Sequence, residues 1–204
     1  MTTPNANARL EAFSDGVFAI ALTLLIIDVR LPADGHISSA ADLWRALWHL
    51  MPTILAFLLS FGIILITWVN HHFALALAHR SSPSFIYANG LLLLTVVLIP
   101  FPTALLGEFL LTDHAAPAVL VYDGVLAIQA IAWILVIGAA LKNDLLVDAR
   151  AAATARDNRR SGYFAFAFYA SLAVLALWVP LIVAIVTLVS WIFWLILGIR
   201  LKRV

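Results

Sequence analysis

Residues 9–31 read RLEAFSDGVFAIALTLLIIDVRL, and the rest of the chain is best read outward from this stretch. Arg9, Glu11, Ser14 and Asp15 crowd its beginning, and an almost purely apolar run follows as far as Asp28. A helix needs roughly 20 apolar residues to cross the hydrocarbon core of a bilayer, so the stretch is long enough to span one, with its polar groups at one end. Charged groups at membrane depth cost about 2.5 kcal/mol or more unless they are paired or hydrated. Arg9 and Asp15 are therefore expected to be held, by each other across helices or between neighbouring subunits.

Composition agrees. Of 204 residues, 64% are hydrophobic and only 11% charged, against about 25% charged in a soluble domain. A water-soluble fold of this size has too few charges to cover that much apolar surface. There is no cysteine, which excludes disulfides, thiolate metal sites and cysteine nucleophiles. No basic cluster is interleaved with aromatics, so nucleic acid is not an expected partner. Residues 1–8 are polar and small, without a basic n-region, and a cleaved signal peptide is not expected.

Five more apolar segments follow, near residues 44–78, 85–105, 118–141, 162–177 and 179–201. The second is longer than a span requires and is expected to project from the bilayer or split near Pro52. Pro100 and Pro102 are expected to bend or end the third. Only Trp178, Val179 and Pro180 separate the last two, which predicts a helical hairpin. Residues 142–161 mix both charge signs with an alanine run and read as a solvated helix or linker. The expected fold is thus an all-α integral membrane protein, one domain over residues 1–204 with six transmembrane helices.

Six spans put both termini on one side of the membrane. That side carries Arg9, Arg80, Lys142, Arg150, Arg156, Arg159, Arg160, Arg200, Lys202 and Arg203, and the other only Arg30 and Arg45, with Asp28, Asp34, Asp42, Glu108 and Asp113. Lysine and arginine favour the cytoplasmic side. The expectation is a multi-pass protein of the cell membrane with both termini cytoplasmic.

Within the first span, Gly16, Ile20, Leu24, Ile27 and Leu31 follow spacings of four, four, three and four and form one stripe. Thr23 borders it, and Asp28 borders its external end. From Ile20 to Ile27 is about 10 Å at 1.5 Å per residue. Two readings are open on these residues alone. The stripe is ordinary helix-packing surface with Asp28 marking the membrane interface, or several copies surround an axis and their apolar rings gate by dewetting.

The motif Arg9-x-x-x-Phe13-Ser14-Asp15, followed by Gly-Val-Phe-Ala-Ile and by Thr23-Leu24-Leu25, resembles the signature of the transmembrane protein 175 family of potassium channels. Trp68-Val-Asn70-His71-His72-Phe73 and Asn89 with Pro100-Phe101-Pro102-Thr103 agree with it. The resemblance is densest over the first half of the chain and topological over the rest. It implies the bacterial kind of member, with one six-helix unit per chain assembled as a homotetramer, where animal members join two such units and dimerise. It also implies a pore lined by the first helix, with no filter loop of the Thr-Val-Gly-Tyr-Gly kind, and this sequence has none. The family's pore isoleucine, threonine and leucine fall on Ile20, Thr23 and Leu24, and the next apolar layer on Ile27. These are residues of the stripe and its border.

Such a pore passes potassium with moderate selectivity and behaves as a leak. A ring of Ile20 side chains offers an ion no ligand, so a cation crosses at least partly hydrated. Potassium holds its hydration shell less tightly than sodium. Asp28 is a candidate for an acidic ring at the outer mouth. Arg9, Phe13, Ser14 and Asp15 are expected to lock the cytoplasmic end of the helix, with Trp68, Asn70, His71 and Asn89 as partners. His71 and His72 point about 100° apart on a helix and have no carboxylate or third histidine at a spacing of three or four, so they read as hydrogen-bonded core histidines. No cofactor is expected, and no metal beyond transient potassium in the pore.

Other classes fit less well. A secondary transporter tends to show internal repeats and paired broken helices, and no segment of the second half matches the proline pair. An intramembrane enzyme needs a nucleophile with its base or a ligated metal, and no such constellation is present. A non-conducting scaffold subunit is consistent with the same architecture.

Overall fold

A computed structural model describes residues 7–31 and 37–201, with side chains as far as Ile196. The readings of residues 1–6, of Asp34 and of the Arg200, Lys202 and Arg203 side chains lie outside the described residues. The described residues form eight α-helices and one 3₁₀ turn. Helix α1 is Ala8–Leu24, continued by the 3₁₀ turn Leu25–Asp28. It is followed by α2 (Ala40–His49), α3 (Met51–Ala76), α4 (Pro83–Leu98), α5 (Pro100–Phe109), α6 (Ala115–Lys142), α7 (Ala149–Leu175) and α8 (Pro180–Leu201).

Helix boundaries follow local chemistry. The long second apolar segment is broken at Leu50, with Pro52 in the first turn of α3, where a missing N–H costs nothing. Before it, Ser39 caps α2 by accepting from the Asp42 N–H at 3.2 Å. Asp42 in turn accepts from the hydroxyls of Ser39 (2.8 Å) and Ser38 (3.1 Å), which hold its carboxyl below the usual carboxylate range. Helix α2 buries none of its residues and leaves Trp44 and Trp48 largely exposed, the character of a helix at a membrane interface. The third apolar segment bends between α4 and α5 at Ile99, just before Pro100.

Four stretches have the length and apolar character of a membrane span: Ala8–Asp28, Met51–Ala76, Pro83–Phe109 and Ala115–Lys142. The fifth and sixth apolar segments are the second half of α7 and α8, whose described apolar part is Pro180–Ile196. Tyr87, Leu94, Ile182, Ile185 and many other large apolar side chains stand exposed. Apolar faces this extensive fit lipid or a partner subunit, not water.

The interior centres on Phe18, Leu25, Ile64, Val96, Tyr122 and Leu126. Of the two readings of residues 142–161, helix and linker, the helix is found: from Ala149 onward they are the first half of α7, capped by Asp148 accepting from the Ala151 N–H at 2.7 Å. Ala151 and Ala155 are buried, Ala155 against Ala74 of α3 and Ile137 of α6. The alanines let α7 approach closely. The turn before it is tied to the α3–α4 connection by His79 N–H to Leu145 O (2.9 Å) and Val147 N–H to Leu77 O (3.0 Å).

Candidate functional site

Helix α1 divides sharply into two faces. Ser14, Phe18, Ala21 and Leu25 are buried, Phe18 at 1% exposure, and spacings of four, three and four place them on one side. Ile20 is 60% exposed, Leu24 38% and Ile27 59%, and Gly16 and Thr23 are exposed with them. At 100° per residue the two sets centre about 150° apart. The buried face packs on α3 and α4. The described residues leave the stripe largely uncovered.

The change from α-helix to 3₁₀ at Leu25 matters for alignment. Residues three apart eclipse in a 3₁₀ turn, so Ile27 stays nearly in line with Leu24, while Asp28 follows the buried Leu25. Asp28 is half-buried, off to one side of the stripe. The Thr23 hydroxyl donates to the Ile20 carbonyl at 2.8 Å. Its proton is thus spent on the backbone, and the lone pairs of its oxygen remain to accept or to meet a cation.

At the other end of α1 a hydrogen-bonded anchor joins three helices. His71 Nε2 and Asn89 Oδ1 are 2.6 Å apart; a carbonyl oxygen only accepts, so Nε2 carries the proton. Asn89 Nδ2 donates to the Ser14 hydroxyl at 3.1 Å, and Ser14 donates to the Leu10 carbonyl at 2.8 Å. His71, Asn89 and Ser14 are all buried. Beside them Trp68 Nε1 donates to Asp15 Oδ1 at 2.8 Å, which gives the motif aspartate a partner at depth. The His71 ring lies 5.4 Å from that of Phe18. Because α3 and α4 supply the partners, they fix both the height and the rotation of α1.

Ser14, Asp15, Trp68, His71 and Asn89 are thus brought together. Arg9 and Phe13 are exposed, and Asp15 bonds Trp68 in place of Arg9 within the chain. Asn70 lines a cavity on the far side of α3. His72, expected in the core with His71, instead faces outward because the two side chains point about 100° apart, and it approaches Glu11 at 3.3 Å. It also missed a second buried polar set, in which Ser60 is bonded to Thr103 (2.6 Å) and Tyr122 (2.9 Å), and Thr187 donates to Asp123 at 2.9 Å. The signal for it is present: an aspartate two turns inside an apolar segment demands a partner.

Comparison with known proteins bears on these features. The family profile described as the endosomal/lysosomal potassium channel TMEM175 matches residues 9–100. A potassium channel of Chamaesiphon minutus is 48% identical over 125 residues, 61% of this chain and 61% of that protein. One of Streptomyces collinus is 44% identical over 131 residues, 63% and 62% of the two. The crystal structure of a lysosomal potassium-selective channel TMEM175 homolog from Chamaesiphon minutus superimposes with a TM-score of 0.84 at 34% identity, covering 94% of this chain and 97% of that one. This chain belongs to the TMEM175 family. The profile match contains all of α1 except Ala8, and every residue of its anchor, so the TMEM175 signature and the buried network occupy the same part of the chain. With its span-length helices, this TMEM175 member is a multi-pass membrane protein. The aligned region spans 61% and 62% of the length of the two curated relatives.

Proposed function

We propose that the chain is one subunit of a homotetrameric, potassium-permeable cation channel whose pore is lined by α1. The observation that carries this is the bare apolar face of Ile20, Thr23, Leu24 and Ile27 on a helix whose opposite face is locked into the fold. Four copies turned toward one axis bury that face against a narrow column of water and ions. Ile20 forms the constriction, and Thr23 supplies oxygens next to it. Crossing an apolar ring requires a cation to keep or partly shed its water, which favours the more loosely hydrated potassium modestly and predicts a moderately selective leak. The second half of α7 and α8 complete six spans, with both termini cytoplasmic by the distribution of lysine and arginine. Asp28 stands at the external margin, where four carboxylates raise the local cation concentration.

The test is cation flux from liposomes holding the purified protein under potassium and sodium gradients. Uncoupled flux that favours potassium is expected, and at low salt it falls in Asp28→Asn. Flux that requires a second, countertransported substrate makes the protein a transporter. No flux from a folded tetramer makes it a scaffold.

A further inference from the structure

A partly open cavity of about 140 Å³ lies on the side of α3 away from α1, lined by α3, α6, α7 and α8 with Leu92 of α4. No residue of α1 lines it, so it is separate from the proposed pore. Its wall is largely apolar, with Ile63, Leu126 and the indoles of Trp133, Trp191 and Trp194, and into that wall is set Gln129. Gln129 is nine-tenths buried, and its amide nitrogen has no partner among the described residues. The Trp194 indole N–H is buried as well. It is directed at the Tyr169 hydroxyl, which is itself engaged with Ser190 at 3.1 Å.

A buried donor without a partner at the wall of the cavity calls for an acceptor inside it, since one left unmade costs about 1–3 kcal/mol. None of the lining side chains is charged, so an ionic ligand would lie uncompensated there, whereas a neutral one would not. The volume is close to that of a cavity that takes up benzene, about 150 Å³. We infer that this cavity binds a small neutral amphipathic molecule, an apolar ring or short chain with one carbonyl-type acceptor, held by the Gln129 amide among the indoles. Water alone in the cavity is the competing occupant.

The protein has seven tryptophans, three of which line the cavity, so 5-fluorotryptophan labelling and fluorine NMR in lipid nanodiscs read occupancy at the site. Acetophenone is the probe, and ethylbenzene is its counterpart without an acceptor. Saturable shifts confined to Trp133, Trp191 and Trp194 are expected with acetophenone, with binding of ethylbenzene about tenfold weaker. Gln129→Leu removes the preference between the two, and Ala165→Phe, which fills the cavity, abolishes both. Equal binding of the two probes by the unsubstituted protein overturns the inference. So do unsaturable shifts across all seven tryptophans, which mark partition into lipid, and the absence of any shift, which marks a cavity holding water only. Binding is read without conduction, so this result and that of the flux assay are independent.

Discussion

Ile20 has no donor or acceptor beyond its backbone, and its work in the proposed pore is done by shape and dryness. In the proposed tetramer, replacing it with asparagine places four amides where four sec-butyl groups stood. Ile20→Asn is expected to raise sodium permeation and bring the potassium-to-sodium ratio toward one, measured as the reversal potential under bi-ionic conditions. An unchanged ratio with unchanged conductance moves the constriction elsewhere. Asn89 bridges two helices, and Asn89→Ala leaves both His71 Nε2 and the Ser14 hydroxyl with fewer partners. The expected loss is about 1–3 kcal/mol, read as a lower melting temperature of the purified protein; an unaltered melt would mean water replaces the amide. At this scale the sequence is only partly legible. That Ser14 and Asp15 need partners follows from their depth, and Trp68, His71 and Asn89 stand out as polar residues in apolar runs. Which of them meet depends on helix rotation, so Asn70, one residue from His71 and about 100° away, joins a different surface altogether.

Helix α5 meets α3 where Gly107 faces Thr53. A Cβ on Gly107 would lie 3.0 Å from the Thr53 Cα, and the Thr53 hydroxyl donates to the Gly107 carbonyl at 3.3 Å. Backbone cannot yield as a flexible side chain can, so Gly107→Ala is expected to cost about 1–3 kcal/mol by forcing the helices apart. Denaturation in mild detergent checks this, and a melt equal to that of the unsubstituted protein contradicts it. The breaks at Leu50 and Ile99 are legible because proline acts locally on its own and neighbouring residues. The packing of the first half of α7 is not. Its alanines and arginines carry no apolar period of their own, and Ala151 and Ala155 are buried only because α3 and α6 leave a narrow groove that small side chains fit. That information belongs to the neighbours.

At the scale of the whole molecule, the bare face of α1 has no counterpart in the described residues, and the proposed tetramer supplies one. Fold class was readable from composition and segment length, since the bilayer imposes both. The exposed face of α1 was readable as a stripe, but its environment was not, because periodicity alone does not distinguish a face buried against a helix from one turned to an axis. The absence of native cysteine allows the decisive experiment without background. Leu24→Cys and, as a control, Leu94→Cys on α4, which is also exposed, are reconstituted and treated with a positively charged, membrane-impermeant thiol reagent during potassium flux. The reagent is expected to silence flux through Leu24→Cys, four bulky cations then standing in the pore, and to leave Leu94→Cys conducting. Potassium flux through Leu24→Cys that persists after complete modification would contradict a pore lined by α1.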